Sequence, residues 1–176
     1  MRAELPPDEE ARLKALRDLD VLDSEPEEAF DDLVRRAADA TGAPVAVITL
    51  VDEARQWFKA RVNLEMEATD RDLSFCAHAI LQPDDLTVVR DTLEDQRFAD
   101  NLLVTEDPSI RFYAGAPVTT ADGHAVGTIC VIDTAPRGLS DEQADALRAL
   151  AREVSRQLEQ RRIERARARA AGDPAA

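Results

Sequence analysis

Four side chains in this 176-residue chain could act as nucleophile, general base or metal ligand: Cys76 and His78 in the run SFCAHAI, His124 beside Gly123, and Cys130 in GTICVID. They are its only cysteines and histidines. A thiol activated by an imidazole would support redox or acyl-transfer chemistry. On a helix, however, residues two apart do not face each other, and small buried cysteines commonly fill cores. Cys76 and Cys130 are therefore read as packing residues, and His78 as a hydrogen-bonded structural residue rather than a haem ligand. Zinc would need paired ligands at C-x-x-C or H-x-x-x-H spacing, which these four do not supply. The phosphate-cradling G-x-x-x-x-G-K-[ST], the nucleophile elbow G-x-S-x-G and the zinc-protease H-E-x-x-H do not occur in the sequence. No catalytic residue and no metal site is assigned, and the chain is not expected to be an enzyme.

A binding site is the better-supported chemistry. In Ile110–Asp133, IRFYAGAPVTTADGHAVGTICVID, two strand-like runs flank a polar turn. Read with period two, Ile110, Phe112, Ala114, Ala116 and Val118 share one face, and Arg111 and Tyr113 the other. A strand apolar on one side and furnished with a cation and a phenol on the other suits the floor of a pocket. The candidate ligand-binding set is Arg111 and Tyr113 from this strand, Phe75 and His78 from SFCAHAI, Arg97 and Asn101 from the segment Thr92–Pro108, and Asp91 at the end of the strand LTVVRD. An Arg fork binds carboxylate or phosphate, and Tyr, Phe and His supply stacking. The competing reading pairs Arg97 or Arg111 with Asp91, Asp95 or Asp133, which would pin the loop to the sheet.

The elements that must position these residues follow from the pattern. Helices are expected over Asp8–Leu19 and Pro26–Ala40, the second burying Phe30, Leu33, Val34 and Ala37 at spacings of three and four. The run VAVITLVD (Val45–Asp52) is apolar at nearly every position and should be a central strand covered on both faces. Strands are expected at Gln56–Val62 and Leu86–Asp91, with an irregular Asn63–Leu73 and a short helix over Phe75–Leu81 between them. Thr92–Pro108 reads as a covering loop. Ser140 should cap a final helix whose Leu147, Leu150, Val154 and Leu158 form one narrow apolar stripe. This order implies a mixed α+β domain on an antiparallel sheet.

Composition limits the partners. The formal charge is −14, which argues against nucleic acid, even though residues 161–176 carry five arginines against Glu164 and Asp173. With 44% apolar and 33% charged residues, no long apolar run and an N-terminus without signal-peptide character, the chain is expected to be cytoplasmic, with no membrane partner. Both thiols should be reduced in that compartment.

SFCAHAI, DTLEDQRFADNLLV and IRFYAGAP…GTICVID, with Leu22–Asp31 and Leu50–Ala60 upstream, together resemble the GAF domain family, over about residues 8–160 and in order. The branch resembled is the bacterial signalling one, found fused to histidine kinases and diguanylate cyclases. The resemblance implies a six-stranded antiparallel sheet, the terminal helices on one face and short helices and loops covering a pocket on the other. Residues 1–176 would be one GAF domain, with a core at about 22–160, an N-terminal helix in 1–21 and a basic helix end and tail in 161–176. The expected function is that of a stand-alone sensor, binding a small molecule of unknown identity or a protein partner and acting in trans on a signalling protein, the alternative being that the chain is an excised fragment of a longer one. A homodimer through the terminal helices is expected, with Arg161, Arg162 and Arg165 meeting acids at Asp8–Glu10 of the partner copy. Bilin is not expected, because phytochrome-type members place His directly after Cys and this chain reads Cys76-Ala77-His78. The cyclic-nucleotide pattern is missing from Asn63–Phe75. Two alternatives stand beside the sensor: a small thiol-dependent redox enzyme using Cys76, like the GAF-related reductases of free methionine sulfoxide, and a structural dimerisation module without ligand.

Overall fold

Strong β-formers with turn residues between them produce the sheet. The computed structural model describes residues 2–172, and among these the strands are β1 (Val45–Val51), β2 (Arg55–Val62), β3 (Ala68–Asp70), β4 (Thr87–Val89), β5 (Phe112–Thr119) and β6 (Ala125–Asp133). They form one antiparallel sheet in the order β3-β2-β1-β6-β5-β4. The helices are α1 (Glu9–Asp18), α2 (Glu28–Thr41), α3 (Phe75–Ala79), α4 (Leu102–Thr105) and α5 (Asp141–Ala170). β1 and β6 lie at the centre with both faces covered, which is why Val45–Val51 carries so little polarity.

Alternation divides the sheet's side chains between two cores. Ile48 and Leu50 of β1 join Phe112, Ala114, Ala116 and Val118 of β5 beneath α2 and α5. Val47 and Val51 join Phe58, Tyr113 and Cys130 on the opposite face, beneath Phe75, Cys76, Phe98 and Val104. The stripe Leu147, Leu150, Val154 and Leu158 of α5 is buried against its own sheet, and each such side chain contributes about 2 kcal/mol. α5 begins with a complete capping box: the Gln143 amide donates to Ser140 Oγ (3.2 Å), and Gln143 Oε1 accepts from the Ser140 amide (3.0 Å).

Several expectations change. Ile110 does not share a face with Phe112 but belongs to the core on the opposite side. The regular strand starts only at Phe112, and Ser109 takes a left-handed φ of 57°, so the period-two phase does not extend back to Ile110. The irregular Asn63–Leu73 contains the short edge strand β3 and a 3-10 turn, Arg71–Leu73, while the covering loop contains α4. Five of the charges expected to face a second copy, Asp8, Glu9, Arg161, Arg162 and Arg165, are engaged within the chain. Arg161 donates to Glu27 and to the Asp20 carbonyl, Arg162 to Glu159 and Arg165 to Asp20, while Glu9 receives Arg12 and Arg71 and Asp8 pairs with His124. The last tail residues, 173–176, lie outside the described residues.

Candidate functional site

Tyr113 leaves β5 on the face away from α2 and α5, and Gly115 decides where its phenol goes. A Cβ at Gly115 would sit 2.1 Å from Tyr113 Oη, so the ring lies across the bare glycine and reaches towards α3. There the hydroxyl donates to Cys76 Sγ at 3.3 Å. Thr128 of β6 donates to the same sulfur at 3.2 Å, and Thr49 of β1 hydrogen-bonds Thr128 at 3.2 Å. Cys130 Sγ lies 3.9 Å from Cys76 Sγ. α3 is held in place by Ser74, whose Oγ accepts from the Ala77 amide (2.9 Å) and donates to Gln56 Oε1 of β2 (2.6 Å).

Burial alone would raise the Cys76 pKa. The hydrogen bonds from Cys130, Thr128, Thr49 and Tyr113 outweigh it and bring the thiol down to about 7. The bond to Cys76, together with burial, pushes the Cys130 thiol up, and burial beside the two sulfurs pushes the Tyr113 phenol up. Hydroxyl donors converging on one sulfur make Cys76 the more acidic of the two thiols.

Next to the sulfurs is a cavity of about 40 Å³. Val47, Phe58 and Tyr113 of the sheet form its floor, Phe75 and Cys76 one wall, and Leu103, Pro108 and Ile110 the cover. No charged side chain lines it. It can hold a ligand of a few heavy atoms, held by contact and a few hydroxyl groups.

Residues 25–158 match the sequence profile of the GAF domain. The chain belongs to the GAF domain family. It is 41% identical over 150 residues to a cyclic di-GMP phosphodiesterase of Pseudomonas aeruginosa, the match covering 85% of this chain and 25% of that protein, so the chain spans about a quarter of this relative's length. Among solved structures it resembles the GAF domain of an Acinetobacter phosphoenolpyruvate-protein phosphotransferase (TM-score 0.62, 21% identity, 85% of this chain and 93% of that one). It also resembles a domain of a two-component sensor histidine kinase protein from Sinorhizobium meliloti (TM-score 0.62, 17% identity, 80% and 96%). A free methionine-R-sulfoxide reductase from Thermoplasma acidophilum is similar at the level of fold (TM-score 0.61, 14% identity, 76% and 92%). At these identities the structural likeness speaks for the GAF fold and not for chemistry.

Of the seven candidate residues, only Phe75 and Tyr113 line the GAF cavity. Phe75 stacks on Phe98 (4.4 Å between centroids) and on Tyr113 (5.3 Å), and His78 meets Phe98 edge-on at 4.9 Å, outside the lining. Arg111 grips Asp91 with both arms, at 2.9 and 2.7 Å, and Arg97 does the same with Asp95 while lying over Phe98. Asn101 caps α4 and donates to the Leu73 carbonyl, tying the covering segment to the turn before α3. The predicted anion fork is thus a pair of ion pairs that fix the loop, because a carboxylate lies within reach of each guanidinium. The residues that sequence reading passed over are Thr49, Thr128 and Gly115, while it weighs Cys76 and Cys130 and reads them as packing residues. One signal for them was present: Thr128 and Cys130, like Tyr113 and Gly115, are two apart on neighbouring strands and so share a face. Among the described residues no group of three or more His, Cys, Asp and Glu side chains could hold a metal, and no helix is long and apolar enough to cross a membrane.

Proposed function

We propose that this GAF domain is a non-catalytic sensor whose ligand is a small apolar molecule taken into the cavity beneath α3 and the Leu103–Ile110 cover, and that it reports to a signalling enzyme of the cyclic di-GMP phosphodiesterase class. The observation that carries the reading is the mainly apolar cavity, with no Asp, Glu, Lys, Arg or His in its lining, on the pocket face of the sheet. The 41% identity to a phosphodiesterase supports the output class. Occupancy reaches α5 through β5 and β6, whose other face forms the floor under that helix. A homodimer through α1 and α5 belongs to the same reading. Because the α5 stripe is internal, it would use the exposed flank that includes Ile163, and light scattering tests it.

Xenon, a single apolar atom, is a suitable probe of so small a cavity. The melting temperature should rise with probe concentration in the wild type and stay constant in Ile132→Phe, which fills the cavity from β6. A probe-independent melting temperature in the wild type would overturn the ligand reading. Hydrolysis of cyclic di-GMP by the purified chain would overturn the non-catalytic one.

A further inference from the structure

We propose that Cys76 and Cys130 form a reversible thiol–disulfide couple, oxidised by hydrogen peroxide that arrives through the cavity, with Cys76 as the attacking and Cys130 as the resolving sulfur. The two thiols are free, buried and 3.9 Å apart, so a disulfide needs the sulfurs to close by about 2 Å. Cys76 sits on α3, a helix of five residues packed on the sheet and capped by Ser74, whereas Cys130 is paired on both sides in the centre of the sheet, between Val47 and Gly115. The closure is therefore assigned to Cys76. Both sulfurs line the same cavity, whose roughly 40 Å³ exceeds what one water-sized molecule requires, about 10–15 Å³.

The polar groups assign the roles. The Tyr113 and Thr128 hydroxyls both point at Cys76 Sγ, and Thr49 backs Thr128, a set of donors suited to a thiolate and of little use to a buried thiol. The lowered Cys76 pKa, about 7, and the raised Cys130 pKa agree with this division. In the first step the Cys76 thiolate attacks one peroxide oxygen. An S–O bond forms, the O–O bond breaks, and the departing hydroxide takes up the proton that Cys76 had released, giving water. In the second step the Cys130 sulfur attacks Cys76. The S–S bond forms, the S–O bond breaks, and hydroxide leaves with the Cys130 proton as a second water. The two thiols lose two electrons in total and the peroxide gains them. A dithiol reductant reverses the change by exchange. The disulfide would fasten α3 to β6 across the cavity. It uses the cavity as a route and does not depend on the sensor's ligand.

The experiment treats the reduced, folded chain with hydrogen peroxide and follows intact mass, peptide map and thiol content. The expected product has lost the mass of two hydrogens, carries a Cys76–Cys130 link and is restored by dithiothreitol. In Cys130→Ala, Cys76 should stop at a sulfenic acid that dimedone traps, and Thr128→Val should slow the wild-type reaction about tenfold by removing one donor to the thiolate. Rates should rise with pH through about 7, following the thiolate. Retention of both thiols in the folded chain at peroxide concentrations that oxidise it in urea would overturn the proposal. So would a wild-type product oxidised at Cys76 with no link to Cys130, a result that stands even where the variants do not fold. The xenon melting shift is read on the reduced protein, so failure of one reading leaves the other standing.

Discussion

Gly115 carries no side chain, yet it sets the chemistry of Cys76, because the Tyr113 phenol occupies the space a Cβ would need. Gly115→Ala should expel the hydroxyl from its place against Cys76 and cost about 1–3 kcal/mol through overpacking. It should also raise the thiol pKa, which ultraviolet titration of the thiolate reads directly; an unchanged titration would show that Tyr113 finds another route. Arg111 makes the opposite case. It is the most conspicuous cation in the diagnostic strand, and its two bonds to Asp91 leave it outside the cavity. Arg111→Ala should lower the melting temperature by the same amount with and without xenon, whereas a ligand-dependent difference would return it to the binding site.

At the scale of elements, the strongest device is a carboxylate shared between two cations. Glu27, just before α2, accepts from Lys59 of β2 and from Arg161 of α5, each at 2.7 Å, while Lys59 also donates to Ser24 Oγ and the Glu25 carbonyl. Burial would raise the Glu27 pKa, but the bonds from Lys59 and Arg161 hold it below the usual carboxylate range. The Lys59 side chain is wholly buried, and burial, aided by the nearby Arg161 charge, pulls its pKa down against the opposing pull of Glu27. Glu27→Gln should therefore cost about 2 kcal/mol in urea unfolding, less than a fully buried pair because Glu27 is partly exposed, and adding Lys59→Met should recover part of the loss. The elements in this network were largely legible in the sequence: α2 from its apolar spacing, α5 from Ser140 and its leucine stripe, β2 from the run Gln56–Val62 that follows the unbroken apolar run of β1. β3 and α4 were not, because three- and four-residue elements carry too little periodicity to register. The thiol cluster was hidden for a different reason. Its members come from β1, α3, β5 and β6, and only the folded sheet brings Thr49, Cys76, Tyr113 and Thr128 together.

For the whole molecule, two electrostatic effects oppose each other as pH falls. A net charge of −14 at pH 7 repels itself, and protonating carboxylates relieves that repulsion. Against this, Glu9 joins α1 to the rest of the fold by accepting from Arg12, which also donates to the Val51 carbonyl, and from Arg71. Burial would raise the Glu9 pKa, but the bonds from these two arginines outweigh it and bring it down to about 2. A carboxylate depressed on folding contributes stability that is complete above its unfolded pKa, near 4.5, and is lost as pH falls towards the folded value. Glu153 and Glu159 are lowered in the same direction by Arg36 and Arg162, though both pairs are exposed and add little. The melting temperature should consequently hold steady or rise slightly between neutral pH and about 5, then drop steeply between about 4.5 and 2, with Glu9 supplying about 2 kcal/mol of the loss after allowance for solvent screening. Glu9→Gln should be less stable than wild type at neutral pH and lose less on acidification, so that the two melting curves converge near pH 2. Parallel curves over that whole range would show that Glu9 titrates alike in the folded and unfolded chain, and that the arginines around it do not hold α1 in place through its charge.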